Sequence, residues 1–187
     1  MEIVTYGNEI LASEAQPIRL IDAKAAKLAA DMLEIMRAGK GIGLAAPQIG
    51  ILKRLFVVEI ADDIPRVFIN PRIVEQSEET VKFEEGCLSL PGIYADVVRP
   101  ASIRIHAWNE KGKPFTLDAD GLLARVIQHE LDHLRGVMFI DYLSEFKRKR
   151  IIKVWDEKSQ KEASAASVAG PPVNGQAERA DDSEPRA

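Results

Sequence analysis

Two histidines four residues apart, with a glutamate beside the first, are the part of this 187-residue chain best suited to chemistry: His129-Glu130-Leu131-Asp132-His133. On a helix, residues i and i+4 stand one above the other. His129 and His133 therefore share a face and can converge on one divalent ion at the ~2.0–2.1 Å usual for a zinc–nitrogen bond. Glu130 lies one step further round, beside the ion, where it can take a proton from ion-bound water. Leu122, Leu123, Val126, Ile127, Leu131 and Leu134 keep a helical period around the motif. The competing reading is a buried helix with two incidental histidines.

A catalytic site of this type needs a third protein ligand and an open position. In the extended protease motif H-x-x-x-H-x-x-G-x-x-H, Gly136 would fill the glycine position, but the last position is Phe139, and no histidine follows His133. Two donors remain. One is a downstream glutamate, Glu145, Glu157 or Glu162, the arrangement of a metalloprotease. The other is Cys87, the only cysteine, in Glu84-Glu85-Gly86-Cys87-Leu88-Ser89-Leu90-Pro91. Gly86 there permits close backbone approach or an unusual φ, and Pro91 should end any strand soon after. With two helical histidines and no third in register, Cys87 is the better donor.

These side chains need elements to hold them. Asp22 can cap a helix running to about Ala38, with Leu28, Met32, Ile35 and Met36 on one face and Gly39 and Gly41 beyond its end. Residues 41–48, Gly-Ile-Gly-Leu-Ala-Ala-Pro-Gln, are too rich in glycine and proline for a regular element. Strand patterns follow at Arg54 to Ile60, Arg66 to Ile69, Ile73 to Val74, Thr80 to Phe83 and Ile103 to Trp108. Lys113 to Leu117 would return across an Asn109–Gly112 turn. The histidine helix begins near Asp118 or Asp120 and stops at Gly136, and Ser144 opens a third helix. Strands in the middle without β-α-β alternation predict an α+β fold. Mostly antiparallel sheets would pack around a central metal-binding helix, with an N-terminal and a C-terminal helix. The catalytic domain should span residues 1–158. Residues 159–187, with few branched aliphatics, should form a disordered tail.

Composition narrows the class. Hydrophobic residues at 46% and charged residues at 29% are ordinary for one soluble domain. A net charge of −4 and a pI near 5.5 argue against a DNA-binding basic face. No apolar run is long enough to span a bilayer, no secretory signal is evident, and one cysteine suits a reducing compartment. The expectation is a cytoplasmic protein, with no membrane or DNA partner. His106 reads as a strand histidine rather than a fourth ligand.

Three segments together resemble the peptide deformylase family: residues 41–48, Glu85-Gly86-Cys87-Leu88-Ser89, and Gln128 with the histidine motif, in the same order and spacing. The resemblance covers roughly Met1 to Trp155. It implies a monomeric enzyme that removes the N-formyl group from the initiator methionine of nascent peptides and releases formate. Cys87, His129 and His133 would hold one divalent ion per chain, Fe(II) first, with Zn(II), Ni(II) or Co(II) able to replace it. Glu130 would be the general base and acid. The Gln48 side-chain amide and the Leu88 backbone N–H would be donors to the formyl oxygen, and Ile42, Gly43, Gly86 and Val126 would contact substrate. The basic run Lys147-Arg148-Lys149-Arg150 reads as a solvated face; by resemblance, such a helix can contact the ribosome.

Overall fold

The computed structural model describes residues 2–61 and 63–168, with side chains described through Lys161. The described residues up to Ile151 form one unit and those from Ile152 a second. Helix α1 (Ala23–Ala38) opens as expected: the Asp22 carboxylate accepts from the backbone N–H groups of Lys24 and Ala25 at 2.9 and 3.0 Å. Residues 41–48 are more regular than their composition suggests. They form strand β1 (Gly43–Ala45) and a short 3-10 turn (Ala46–Ile49). Pro47 falls in the first turn of that helix, where its missing N–H costs nothing.

Strands β2 (Leu55–Val58), β3 (Arg66–Gln76), β6 (Ser102–Trp108) and β7 (Pro114–Asp120) join β1 in an antiparallel sheet of order β1-β2-β3-β6-β7. The two short strands expected at 66–69 and 73–74 are one strand. Pro71 sits at a register shift between Ile69 and Arg72, so no ladder donor is needed from it. There Asn70 turns at φ 50° and its side-chain amide bonds both the N–H and the carbonyl of Ile18. Strands β4 (Thr80–Cys87) and β5 (Leu90–Pro100) form a separate two-stranded ribbon. Pro91 does not terminate a strand; it is the second residue of β5, and a two-stranded ribbon has only edges, where proline is tolerated.

Helix α2 (Gly121–His133) follows β7 directly. Asp120 stands at its N-cap position but makes no capping bond, and Asp118 is paired with Arg104 at 2.6 Å instead. All four residues of β2 are buried, because the sheet is covered on both faces. Leu55 and Val57 pack with Met32 and Met36 of α1, while Phe56 and Val58 pack with Ala124, Ile127, Leu131 and Leu134 of α2. The result is the expected α+β architecture with mainly antiparallel sheets. Helix α3 (Glu145–Val168) runs past residue 158, where the sequence suggests order ends; the remainder of that proposed tail, residues 169–187, lies outside the described residues. Among the described residues no helix is long and apolar enough to cross a membrane.

Candidate metal centre

Helix α2 buries every residue from Ala124 to His133, so it must satisfy polar groups on a dry surface. It does so by carrying two stripes. Ala124, Ile127, Leu131 and Leu134 enter the apolar core under the large sheet. Arg125, Gln128, His129 and Asp132, at i, i+3, i+4 and i+7, are buried and bond to groups of the β4–β5 ribbon. The same ribbon brings Cys87 to the end of β4. One ligand atom from each of Cys87, His129 and His133 lies within 4.8 Å of the other two, and Cys87 Sγ is 3.3 Å from His133 Nε2.

A sulfur and two imidazoles suit a divalent transition ion better than magnesium or calcium, which prefer oxygen. The protonation state of His133 fits such an ion. Burial and the charge of His129 hold His133 well below its ordinary pKa, in the neutral form that ligates. Burial opposes a charge on His129, yet bonds to Cys87 and Glu85 outweigh it and raise its pKa. Burial pushes the Glu130 carboxyl up to about 7, against the pull of His129 and with a push from Glu85. Glu130 Oε2 and His133 Nδ1 are buried and have no hydrogen-bond partner. An open carboxylate oxygen beside a ligand cluster is a place for a water or a reacting group.

Glu85 is the functional residue that sequence reasoning passes over. Its Oε2 lies 2.8 Å from His129 Nδ1, which leaves Nε2 of that ring for an ion. Arg99 donates to Glu85 through Nε and Nη2 at 2.7 and 3.0 Å and through Nη1 to Asp132 at 2.6 Å. Arg125 adds a bond to Glu85 at 3.0 Å, and the Tyr142 hydroxyl donates to Asp132 at 2.9 Å. Burial alone would raise the Glu85 carboxyl, but His129 and Arg99 outweigh it and hold it at about 2. Asp132 is buried and anchors the far end of Arg99. Arg99 and Arg125 in otherwise apolar runs were the available signal, since buried arginines require acidic partners. Glu85→Gln should leave Arg125 without its carboxylate and cost about 3–5 kcal/mol of unfolding free energy in urea titration. Because the Glu85 pKa is depressed on folding, that contribution exists above about pH 4.5 and should fade as pH falls toward 2.

A cavity of about 530 Å³ opens onto Glu130 and His129, and every proposed substrate residue lines it. Val126 is buried on its wall, while Ile42 is 41% exposed at its rim. A side chain at Gly43 would strike the Glu130 carboxylate and Val126 Cγ1, so this glycine also makes room for Glu130. Gly86 needs no unusual φ; a side chain there would sit 2.6 Å from Cε1 of Tyr94, its cross-strand partner. The Gln48 amide accepts from Ala45 N–H at 2.8 Å and donates to Ser89 Oγ at 3.2 Å and Cys87 Sγ at 3.4 Å. Leu88 lies in the turn between β4 and β5, next to Cys87. The alternative ligands fare worse. Glu145 is exposed and paired with Lys149 at 2.6 Å, Glu157 is exposed, and the Glu162 side chain lies outside the described residues. His106 is an exposed strand residue.

Comparison with known proteins places these features in context. A family model described as "Polypeptide deformylase" matches residues 1–149. The chain is 50% identical over 153 residues to the peptide deformylases of Neisseria meningitidis serogroup B and Chromobacterium violaceum, covering 81% of this chain and 91% of each relative. The crystal structure of peptide deformylase from Ehrlichia chaffeensis is similar at a TM-score of 0.82 and 39% identity, covering 87% of this chain and 98% of that one. A structure from the same organism in complex with actinonin gives a TM-score of 0.82 at 40% identity, covering 84% and 96%.

Proposed function

This chain belongs to the polypeptide deformylase family, and on that premise we propose how its own residues divide the work. The enzyme is a metal-dependent hydrolase that removes the N-formyl group from the initiator methionine of nascent proteins and releases formate. Cys87, His129 and His133 hold one divalent ion, with Fe(II) as the working metal and Zn(II), Ni(II) or Co(II) as substitutes. When bound, the ion supplies Lewis acidity, lowering the pKa of water from ~15.7 toward ~7. Glu130 takes the proton of the attacking water at its open oxygen and delivers it to the departing amine. The Gln48 amide and the Leu88 N–H donate to the formyl oxygen as charge gathers there. The observation that carries this reading is the convergence of three ligand atoms beside a buried, partnerless carboxylate oxygen.

Specificity follows from the same cavity. Val126 and Ile42 offer apolar surface to the methionine side chain, and Gly43 and Gly86 border the path of the peptide. The catalytic domain is residues 1–158. The enzyme acts in the cytoplasm as a monomer without DNA or membrane partners. The exposed run Lys147–Arg150 makes a weak ribosome contact, although Arg148 and Lys149 are partly engaged with Asp141 and Glu145.

Anaerobic purification with metal analysis, followed by formate assay on a formyl-Met peptide, tests the reading. About one equivalent of Fe(II) and prompt formate release are expected. Cleavage within unformylated peptides, without formate release, would favour a metalloprotease.

A further inference from the structure

None of the described residues before α1 lines the cavity, yet this segment is bonded to the flanks of both proposed formyl-oxygen donors. The Val4 N–H donates to the Gln48 carbonyl at 2.7 Å, and the Tyr6 N–H donates to the Ser89 carbonyl at 2.8 Å. Gln48 and Ser89 are themselves tied by Gln48 Nε2 to Ser89 Oγ at 3.2 Å, and Ser89 N–H donates to Cys87 Sγ at 3.4 Å. Leu88 therefore directly precedes a residue fixed from outside. Its side chain is seated as well. A side chain added at Gly39 would meet Leu88 Cδ2 at 3.3 Å and Ile3 Cδ1 at 3.5 Å, and one at Gly41 would meet Leu88 Cδ1 at 2.7 Å. The bare α-carbons beyond α1 thus form a seat for Leu88, with Ile3 against one side of it.

We propose that residues Ile3–Tyr6 are a positioning strap for the known reaction, holding the Gln48 amide and the Leu88 N–H at a fixed separation over the formyl oxygen. The physical need is plain. Gln48 belongs to the turn after β1 and Leu88 to the ribbon turn, and these two elements lie in different sheets. A donor pair drawn from separate sheets loses its aim if either slides, and hydrogen bonds made only in the transition state are sensitive to small displacement. A segment bonded to both turns removes that freedom without lining the cavity. The inference rests on Gln48 and Leu88 being the donors.

Val4→Pro and Tyr6→Pro each delete one N–H of the strap, and both are made in the full-length, metal-loaded enzyme. Formate release from a formyl-Met peptide should show kcat lowered about tenfold in each, with KM and bound metal within about twofold of the parent. Val4→Ile and Tyr6→Phe keep the donors and should keep the parental kcat. A merely structural segment would instead lower thermal stability and leave kcat intact. Parental kcat in both proline variants overturns the strap, as does a loss of activity that tracks loss of metal. If the proline variants fold poorly, Ile3→Ala decides: it keeps both donors but frees one side of the Leu88 seat, and an unchanged kcat refutes the proposal. A parent chain that releases no formate would sink the functional reading instead.

Discussion

Glu130→Gln should bind its full complement of metal and almost cease to release formate. The substitution keeps the volume and one hydrogen-bonding oxygen of a side chain that lies against the α-carbon of Gly43, so the fold has no reason to respond. What disappears is the ability to accept and return a proton, a contribution worth about 10²–10⁴ in rate. The ligand set does not include Glu130, so metal analysis should match the parent while kcat falls and KM stays close. The pH profile sharpens the test. Burial holds the carboxyl at about 7 without an ion; a neighbouring divalent charge favours the ionised form and moves the midpoint lower. Parental activity should therefore rise with pH along a limb centred below 7 as Glu130 deprotonates, and the variant should lack that limb. Near-parental formate release by the variant would remove Glu130 from the mechanism.

Cys87→Ala should produce the opposite signature, an enzyme inactive because it no longer keeps its ion. Losing a direct donor should weaken metal affinity by more than the ~10–100-fold typical of a lost supporting partner. Metal per chain after desalting should fall close to zero, and activity should return only partly at high added Co(II) or Ni(II). The change also deletes one of two acceptors for Gln48 Nε2 and an acceptor for the Ser89 N–H, so restored metal should not restore the whole rate. Metal held at parental level would point to a glutamate ligand and revive the protease alternative.

The sequence disclosed local features well and long-range ones poorly. The α1 boundaries were legible because Asp22, the Met32 and Met36 spacing and Gly39 each act within one helical turn. The i, i+4 histidines were legible for the same reason. Strand β5 was not: Pro91, Gly92 and the adjacent Val97 and Val98 disturb the alternation, and its pairing with β4 supplies the order instead. The full length of β3 was hidden by Pro71, which reads as a breaker until the register shift around it is seen. In the site, Cys87 could be matched by motif, but Glu85 acts through Arg99, Arg125 and His129, each distant in the chain. The helical period cannot say whether Asp132 faces solvent or supports a ligand; the ribbon packed over α2 makes it buried. Gly43 was legible as a cavity position, but its packing against Glu130 was not.

The placement of Cys87 on the two-stranded ribbon, and of both imidazoles on the helix it covers, has a thermodynamic corollary. An ion bound there clips together segments that meet only in the native state, so its binding free energy adds to the resistance of the chain against heat and denaturant. Stripping the ion should therefore lower the melting temperature and quicken cleavage by an added protease, the ribbon and helix parting more readily.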